Sequence, residues 1–115
     1  MSKNKSNEKS VKESQSFDEW EMEFYRTDDD PLPFAHRHAL SKMSHLAQTF
    51  DQHDTVCSCA DEGSAILIKH LQIMYETAST ADEWRCVRYY ALKDSEMVNH
   101  ATAEIARLSR LENQS

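Results

Sequence analysis

The chain has 115 residues, only one Gly and two Pro, and a formal net charge of −7. β-rich folds need many turns built on Gly, Asn and Pro, so this composition favours a few long helices joined by short links. An acidic chain of this size is one domain or less, and it lacks the clustered Lys and Arg with which proteins bind nucleic-acid backbones. We therefore expect an all-α protein that does not bind nucleic acid directly.

Residues 1–16 are polar, with Met1 and Val11 as their only apolar members. Such a segment cannot bury enough surface to offset its chain entropy, which predicts a disordered tail. It has no apolar segment typical of a signal peptide, and the longest aliphatic run, Ala65–Ile68, is far shorter than the roughly 20 residues that span a bilayer. Three cysteines without framework spacing fit reduced thiols. These features predict a cytoplasmic protein with no membrane partner.

The first predicted helix covers residues 17–26. Ser16 and Glu19 form a capping-box pattern at its start. Its apolar face consists of aromatic residues at i, i+3 and i+7, namely Phe17, Trp20 and Phe24. Ten residues are marginal as an isolated helix in water, so this face must be covered. Two interpretations stay open: the face packs on the protein's own core, or it is the binding site for a partner protein's groove.

Three longer helices follow in the sequence pattern, over residues 31–51, 59–78 and 81–111. Their predicted starts are Asp30 before Pro31, Ser58 with Asp61, and Thr80 with Glu83. The middle helix is apolar around most of its circumference, so it must be covered on more than one side. Together these elements predict a three-helix up-down bundle, preceded by the short acidic helix, in a single domain over residues 17–115.

The last predicted helix is the longest, about 46 Å at 1.5 Å per residue, against roughly 30 Å for each of the other two. Its final turns would overhang the bundle and leave three apolar residues uncovered: Ile105, Leu108 and Leu111. A second subunit is the simplest source of cover, which predicts a homodimer through these residues. Asp94 interrupts the apolar seam of this helix, so it is either paired, and then sets the register, or solvated.

Histidine and cysteine are concentrated between residues 36 and 59. The candidate metal ligands are His45, His53, Cys57 and Cys59. Imidazole and thiolate ligands suit zinc, but Cys-x-Cys lacks the usual spacer and nothing determines a fourth ligand. We therefore predict neither a metal nor a cofactor, and keep a zinc site around residues 45–59 as an alternative.

The chain has no Gly-rich phosphate loop and no Ser nucleophile elbow, and its one Glu-to-His string has the wrong spacing for a di-iron bundle. We expect no enzyme and no catalytic residue. The surplus of apolar surface on helices 59–78 and 81–111 predicts a small regulatory protein, an adaptor or inhibitor that binds another protein. Small acidic helical proteins of this kind are common among phage and plasmid regulators. A second alternative is an acidic nucleic-acid mimic that inhibits a DNA-binding protein.

Overall fold

The computed structural model describes residues 15–28, 33–92 and 94–114, so all but the last two residues of the predicted tail, 1–16, lie outside the described residues. Every regular element in the described part is an α-helix. The helices are α1 (Phe17–Arg26), α2 (Pro33–Leu46), α3 (Phe50–Cys59), α4 (Ala65–Thr77), α5 (Ala81–Tyr90) and α6 (Ser95–Gln114). The all-α prediction is confirmed for these residues. The three-helix up-down bundle is not, because the described residues form six helices.

The chain divides into two compact units within the region predicted to be one domain. The first unit, Met1–Ala47, contains α1 and α2, which pack against each other. The second unit, Gln48–Ser115, contains the other four helices. Each unit has its own buried side chains and is described by itself.

Helix α1 has the bounds that the sequence predicts. The Ser16 hydroxyl accepts the Glu19 N–H at 3.3 Å, and the Glu19 carboxylate accepts the Ser16 N–H at 3.2 Å, which completes the capping box. At the other end, the Thr27 hydroxyl donates toward carbonyl oxygens of the last turn and is buried. The bounds were predictable because residues within four positions of each other set both ends.

The predicted helix over residues 31–51 is wrong in its last turn. The structure ends α2 at Leu46 and begins α3 at Phe50. The cause is a second capping box, in which the Thr49 hydroxyl accepts the Gln52 N–H at 3.1 Å and the Gln52 side-chain oxygen accepts the Thr49 N–H at 3.2 Å. Two donors are satisfied there by side chains, so a new helix starts at that point. Helix α3 also covers residues 52–58, which were predicted to be a link between two helices.

The predicted start of the 59–78 helix is also wrong. The Ser58 hydroxyl donates to a carbonyl oxygen inside α3 at 2.7 Å, so it does not cap a following helix. The chain then turns through Gly63, whose φ of +75° lies in the left-handed region that favours glycine. The Ser64 hydroxyl accepts the Leu67 N–H at 3.2 Å and begins α4 instead.

The predicted 81–111 helix is two helices. Its start is confirmed, since the Thr80 hydroxyl accepts the Glu83 N–H at 3.1 Å. The helix ends at Tyr90, however, and the chain begins α6 after Asp94, whose carboxylate accepts the Met97 N–H at 3.1 Å. Asp94 is exposed, so neither register setting nor a buried ion pair explains it. Its carboxylate caps the helix that follows.

The core of the second unit forms around α4. Helix α4 contacts both α3 and α5, and α6 packs on α5. The prediction that the most apolar helix is covered on more than one side is therefore confirmed. The buried members of this core are Cys57, Leu67, Leu71, Met74, Trp84, Val87, Ala91 and Ala101. Both α5 and α6 contribute residues to this core. The apolar faces of these two helices therefore lie on the same side of the unit, although a turn separates the helices.

Candidate functional site

The aromatic face of α1 is covered by α2 within the first unit. Phe17, Trp20 and Phe24 are all buried. The Trp20 ring meets the His38 ring edge-on at 5.4 Å, and the Phe24 ring stacks on the His36 ring at 3.7 Å between centroids. This arrangement corresponds to the first of the two interpretations, packing on the chain itself. A partner could contact these three rings only after α1 leaves α2.

The predicted metal-ligand candidates do not come together as one group. His45 is exposed in the first unit, whereas His53, Cys57 and Cys59 lie in the second. The described residues contain no group of three or more His, Cys, Asp or Glu side chains placed to hold a metal ion. His53 instead faces His70, with 2.8 Å between their Nδ1 atoms. The pairing of His53 with a residue 17 positions away could not be found from local spacing.

The predicted dimer residues divide into two groups. Ile105 and Leu108 pack against the core of their own unit, whereas Leu111 is 52% exposed. The overhang argument fails because the break near Asp94 shortens the last helix to 20 residues. The homodimer stays a prediction: Ile105 and Leu108 are partly buried within their own unit, and Leu111 is exposed.

The second unit contains an apolar cleft of about 640 Å³. It lies among the end of α3, the outer side of α4, and the turn that joins α5 to α6. The residues that line it are Cys57, Ser58, Ala60, Glu62, Gly63, Leu67, Ile68, Leu71, Gln72, Tyr89, Tyr90, Ala91, Leu92, Asp94 and Met97. Most of these side chains are apolar. Part of the border is the junction of α5 and α6, where a continuous helix over residues 81–111 was predicted. We refer to this feature as the cleft.

Three large apolar side chains of the cleft are exposed to solvent. Ile68 is 61% exposed, Tyr89 is 68% exposed and Leu92 is 75% exposed. The Tyr89 ring meets the Tyr90 ring edge-on with 5.1 Å between centroids. Single exposed apolar residues are ordinary on protein surfaces, but several around one concave site form the kind of patch that marks an interaction site.

One wall of the cleft is held by a hydrogen bond between α5 and α3. The Tyr90 hydroxyl lies 2.7 Å from Oδ1 of Asp54 and 3.1 Å from the Asp54 backbone oxygen. Burial raises the pKa of the Tyr90 phenol well above its ordinary value, and the hydrogen bond to the Asp54 carboxylate raises it further. The phenol is therefore a permanent donor that fixes the position of this wall.

The floor of the cleft includes a buried thiol. The Cys57 sulfur lies 3.8 Å from the Leu67 backbone oxygen and 3.7 Å from the Met74 sulfur. Burial raises the pKa of Cys57 to about 12, with a further contribution from the negative charge of Asp54. The group therefore stays a neutral thiol at physiological pH. Since the thiolate is the nucleophile and metal-binding form of cysteine, Cys57 acts here as an apolar contact.

Charge at the cleft is of one sign among its described residues. Glu62 and Asp94 carry charge, both negative, and none of the lining residues is Lys, Arg or His. Asp94 accepts a backbone N–H of α6, yet a carboxylate has about four acceptor positions and keeps its charge. The cleft therefore combines apolar walls with an acidic border.

Sequence reasoning found the apolar surplus but not this site. Ile68 belongs to an apolar arc too wide for one packing face, and Tyr89 and Leu92 lie in the segment that was taken for a continuous helix. The available signal was Asp94 itself, a preferred N-cap residue that lies inside an apparent helix. With a helix start recognised at Asp94, Leu92 would have been assigned to the connection between two helices.

Comparison with models of protein families, with curated proteins and with solved structures found no match. Among the described residues, no helix combines the length and apolar character needed to cross a membrane.

Proposed function

We propose that this protein is a small regulatory protein, of adaptor or inhibitor type, that binds another protein through the cleft. The observation that carries the proposal is the exposure of Ile68, Tyr89 and Leu92 around one apolar concavity. Leaving these side chains in water forgoes about 1.5–3 kcal/mol for each large aliphatic one that a partner would bury. Protein interfaces use such side chains as the apolar centre of a patch with a polar border.

The exposed border of the cleft, rather than its volume, favours a protein partner over a small molecule. Its volume of about 640 Å³ falls within the range of small-molecule sites. A molecule enclosed within the cleft would leave the outer parts of Tyr89 and Leu92 in water. A protein segment covers both the concavity and its border. Association costs about 4–15 kcal/mol in lost freedom, which is comparable to or larger than what the two aliphatic border side chains contribute, so we expect the partner also to enter the cleft.

Cys57, Cys59 and Cys86 form no disulfide with one another in the structure, and reduced thiols are typical of the cytoplasm in which we propose that the protein acts. No observation in the described part of the structure specifically supports the two other functions predicted from sequence, a zinc-binding protein and a nucleic-acid mimic. The zinc candidates are separated as described above. The acids of α1, among them the exposed Asp18 and Glu19, belong to the other unit and are not among the residues that line the cleft.

Affinity capture from the native host tests this proposal, with the wild type compared with an Ile68→Ser/Leu92→Ser variant. Both side chains are mostly exposed, so we expect the variant to keep the wild-type melting temperature. Leu111→Ser is the matched control, since it removes an exposed aliphatic side chain outside the cleft. We expect a protein captured by the wild type and by the control, and lost with the cleft variant. Capture that is equal for all three proteins would show that the cleft is not the binding site.

A further inference from the structure

The charges around the cleft narrow the chemistry of its partner. The only charged residues among those described as lining it are the acids Glu62 and Asp94. The background has the same sign, because residues 48–115 contain eleven Asp and Glu against six Lys and Arg, a difference of −5. Like charges across an interface suppress association and opposite charges accelerate it. A segment with a basic border is therefore favoured, and anionic lipid or nucleic acid is disfavoured.

The shape of the site narrows the partner's backbone. All regular elements in the described part of the chain are helices, so they offer no sheet edge to which a partner strand could be added. A groove bordered by helices is commonly filled by an amphipathic helix, which inserts apolar side chains spaced i, i+3, i+4 and i+7. Such a helix places its polar residues along both borders of its apolar face. These borders would face Glu62 on one part of the cleft and Asp94 on another.

We propose that the cleft binds a cationic amphipathic helix of a partner protein. The apolar face of that helix contacts Ile68, Leu71 and Tyr89, and its Lys and Arg residues lie toward Glu62 and Asp94. This inference rests on the proposed function and adds the charge and form of the partner. Both acids are near solvent, so the charge contributes selectivity and association rate more than affinity.

The test uses two synthetic peptides with the same leucine face at helical spacing, one with lysines on its polar face and the other with glutamates. Each carries a fluorophore, and binding to the full-length protein is measured by fluorescence anisotropy at low and high salt. We expect the lysine peptide to bind, its affinity to fall with added salt, and the glutamate peptide to bind much more weakly.

Protein variants locate the effect. Asp94→Asn removes the charge but keeps a side-chain oxygen that caps α6, and Glu62→Gln removes the other charge. Each should weaken binding of the lysine peptide by about two- to fivefold, the range typical of exposed ion pairs. Glu112→Gln, an exposed acid of α6 outside the cleft, is the control and should change nothing. Ile68→Ser/Leu92→Ser should abolish binding.

Several results would overturn the inference. They are equal binding of the two peptides, no binding of either, lysine-peptide binding that is indifferent to both charge variants, and binding that survives the Ile68→Ser/Leu92→Ser change. Binding of the wild type to phosphatidylserine vesicles but to neither peptide would assign the cleft to a membrane surface instead. The proposed function fails on a different result, host capture that is indifferent to the cleft.

Discussion

Neighbouring tyrosines in α5 have opposite surroundings, and both contribute to the cleft. Tyr90 is half-buried with its hydroxyl bonded to Asp54, whereas the Tyr89 ring projects into solvent. Successive helical residues lie about 100° apart around the axis, so a helix with one buried face presents one of the two outward. The hydrogen bond between Tyr90 and Asp54 fixes the end of α5, and this places the Tyr89 ring at the border of the cleft.

The second unit also contains a buried pair of imidazoles. The Nδ1 atoms of His53 and His70 are 2.8 Å apart, so the N–H of one ring donates a hydrogen bond to the ring nitrogen of the other. Burial lowers the pKa of His53, and the charge of Lys69 lowers it further. Burial lowers the pKa of His70 to about 4, with smaller contributions from His53 and Lys69. A charge on either ring would therefore be costly in the folded protein.

This pair predicts how stability changes with pH. The ordinary histidine pKa is 6.5 and the folded value for His70 is about 4, so the unfolded chain binds more protons between these values. Stability is complete above pH 6.5 and falls as the pH drops toward 4. Between pH 7.5 and 5.5, a range in which most carboxylates stay ionised, we expect His70 to remove about 1–1.5 kcal/mol from the free energy of unfolding. Urea titrations at the two pH values measure this difference.

A His53→Met/His70→Met variant removes both imidazoles without leaving one unpaired, and its stability should change less over the same range. His45→Gln, which removes an exposed histidine of the first unit, should behave as the wild type. If the double variant loses as much stability as the wild type over this range, other groups are responsible for the dependence.

Side-chain caps decide where the elements of this protein begin. Two of the breaks that divide the predicted long helices coincide with a cap, Thr49 before α3 and Asp94 before α6. In each case the first residues of the new helix gain a side-chain acceptor for an N–H group that has no partner inside the helix. The border of the cleft includes the turn that ends at Asp94. The cleft therefore depends on the break that separates α5 from α6.

The cap at Asp94 can be tested directly. Asp94→Ala should lower the free energy of unfolding by about 1 kcal/mol, because the Met97 N–H loses its acceptor. Asp94→Asn should cost much less, since the amide oxygen takes over that hydrogen bond. Chemical denaturation of the three proteins measures both effects. In an uninterrupted helix Asp94→Ala would instead stabilise the protein, because alanine has the higher helix propensity, so a gain in stability would contradict the break.

At the scale of the whole molecule, the two units differ in how many helices pack together to stabilise them. The described part of the first unit is two helices of 10 and 14 residues, whereas the second unit has four helices around a common core. Isolated helices of these lengths are marginal in water, and small units bury a smaller share of their surface. We infer that the first unit depends on the aromatic contacts between α1 and α2.

Trp20→Ala tests that dependence. Removing a buried tryptophan side chain costs about 3–5 kcal/mol, so we expect fast hydrogen exchange throughout α1 in this variant. The backbone amides of α4, which lies in the other unit, should keep their wild-type protection. The control is Met22→Ala, which shortens an exposed side chain of the same helix and should leave exchange unchanged.

A loss of stability under about 1 kcal/mol in Trp20→Ala would contradict self-packing. It would favour the other interpretation, in which Phe17, Trp20 and Phe24 form a partner-binding face. Loss of protection in α4 in the same variant would show instead that the two units unfold together.

The sequence by itself determined the features that rest on composition and on neighbouring residues. Few Gly and Pro predicted the all-α class, and the capping box of Ser16 and Glu19 predicted α1. Thr80 likewise marked the start of α5. These predictions succeeded because each depends on groups within a few positions of one another.

Only the tertiary structure decided where the long helices end and which apolar residues stay outside. Ala91 and Val98 are seven residues apart and both pack in the core of the second unit, so the apolar period continues in phase across the connection between α5 and α6. A heptad pattern cannot distinguish one long helix from two that face the same core. The pairing of His53 with His70 and the exposure of Leu92 likewise depend on which helices meet. Those contacts join residues far apart in sequence, and local spacing carries no record of them.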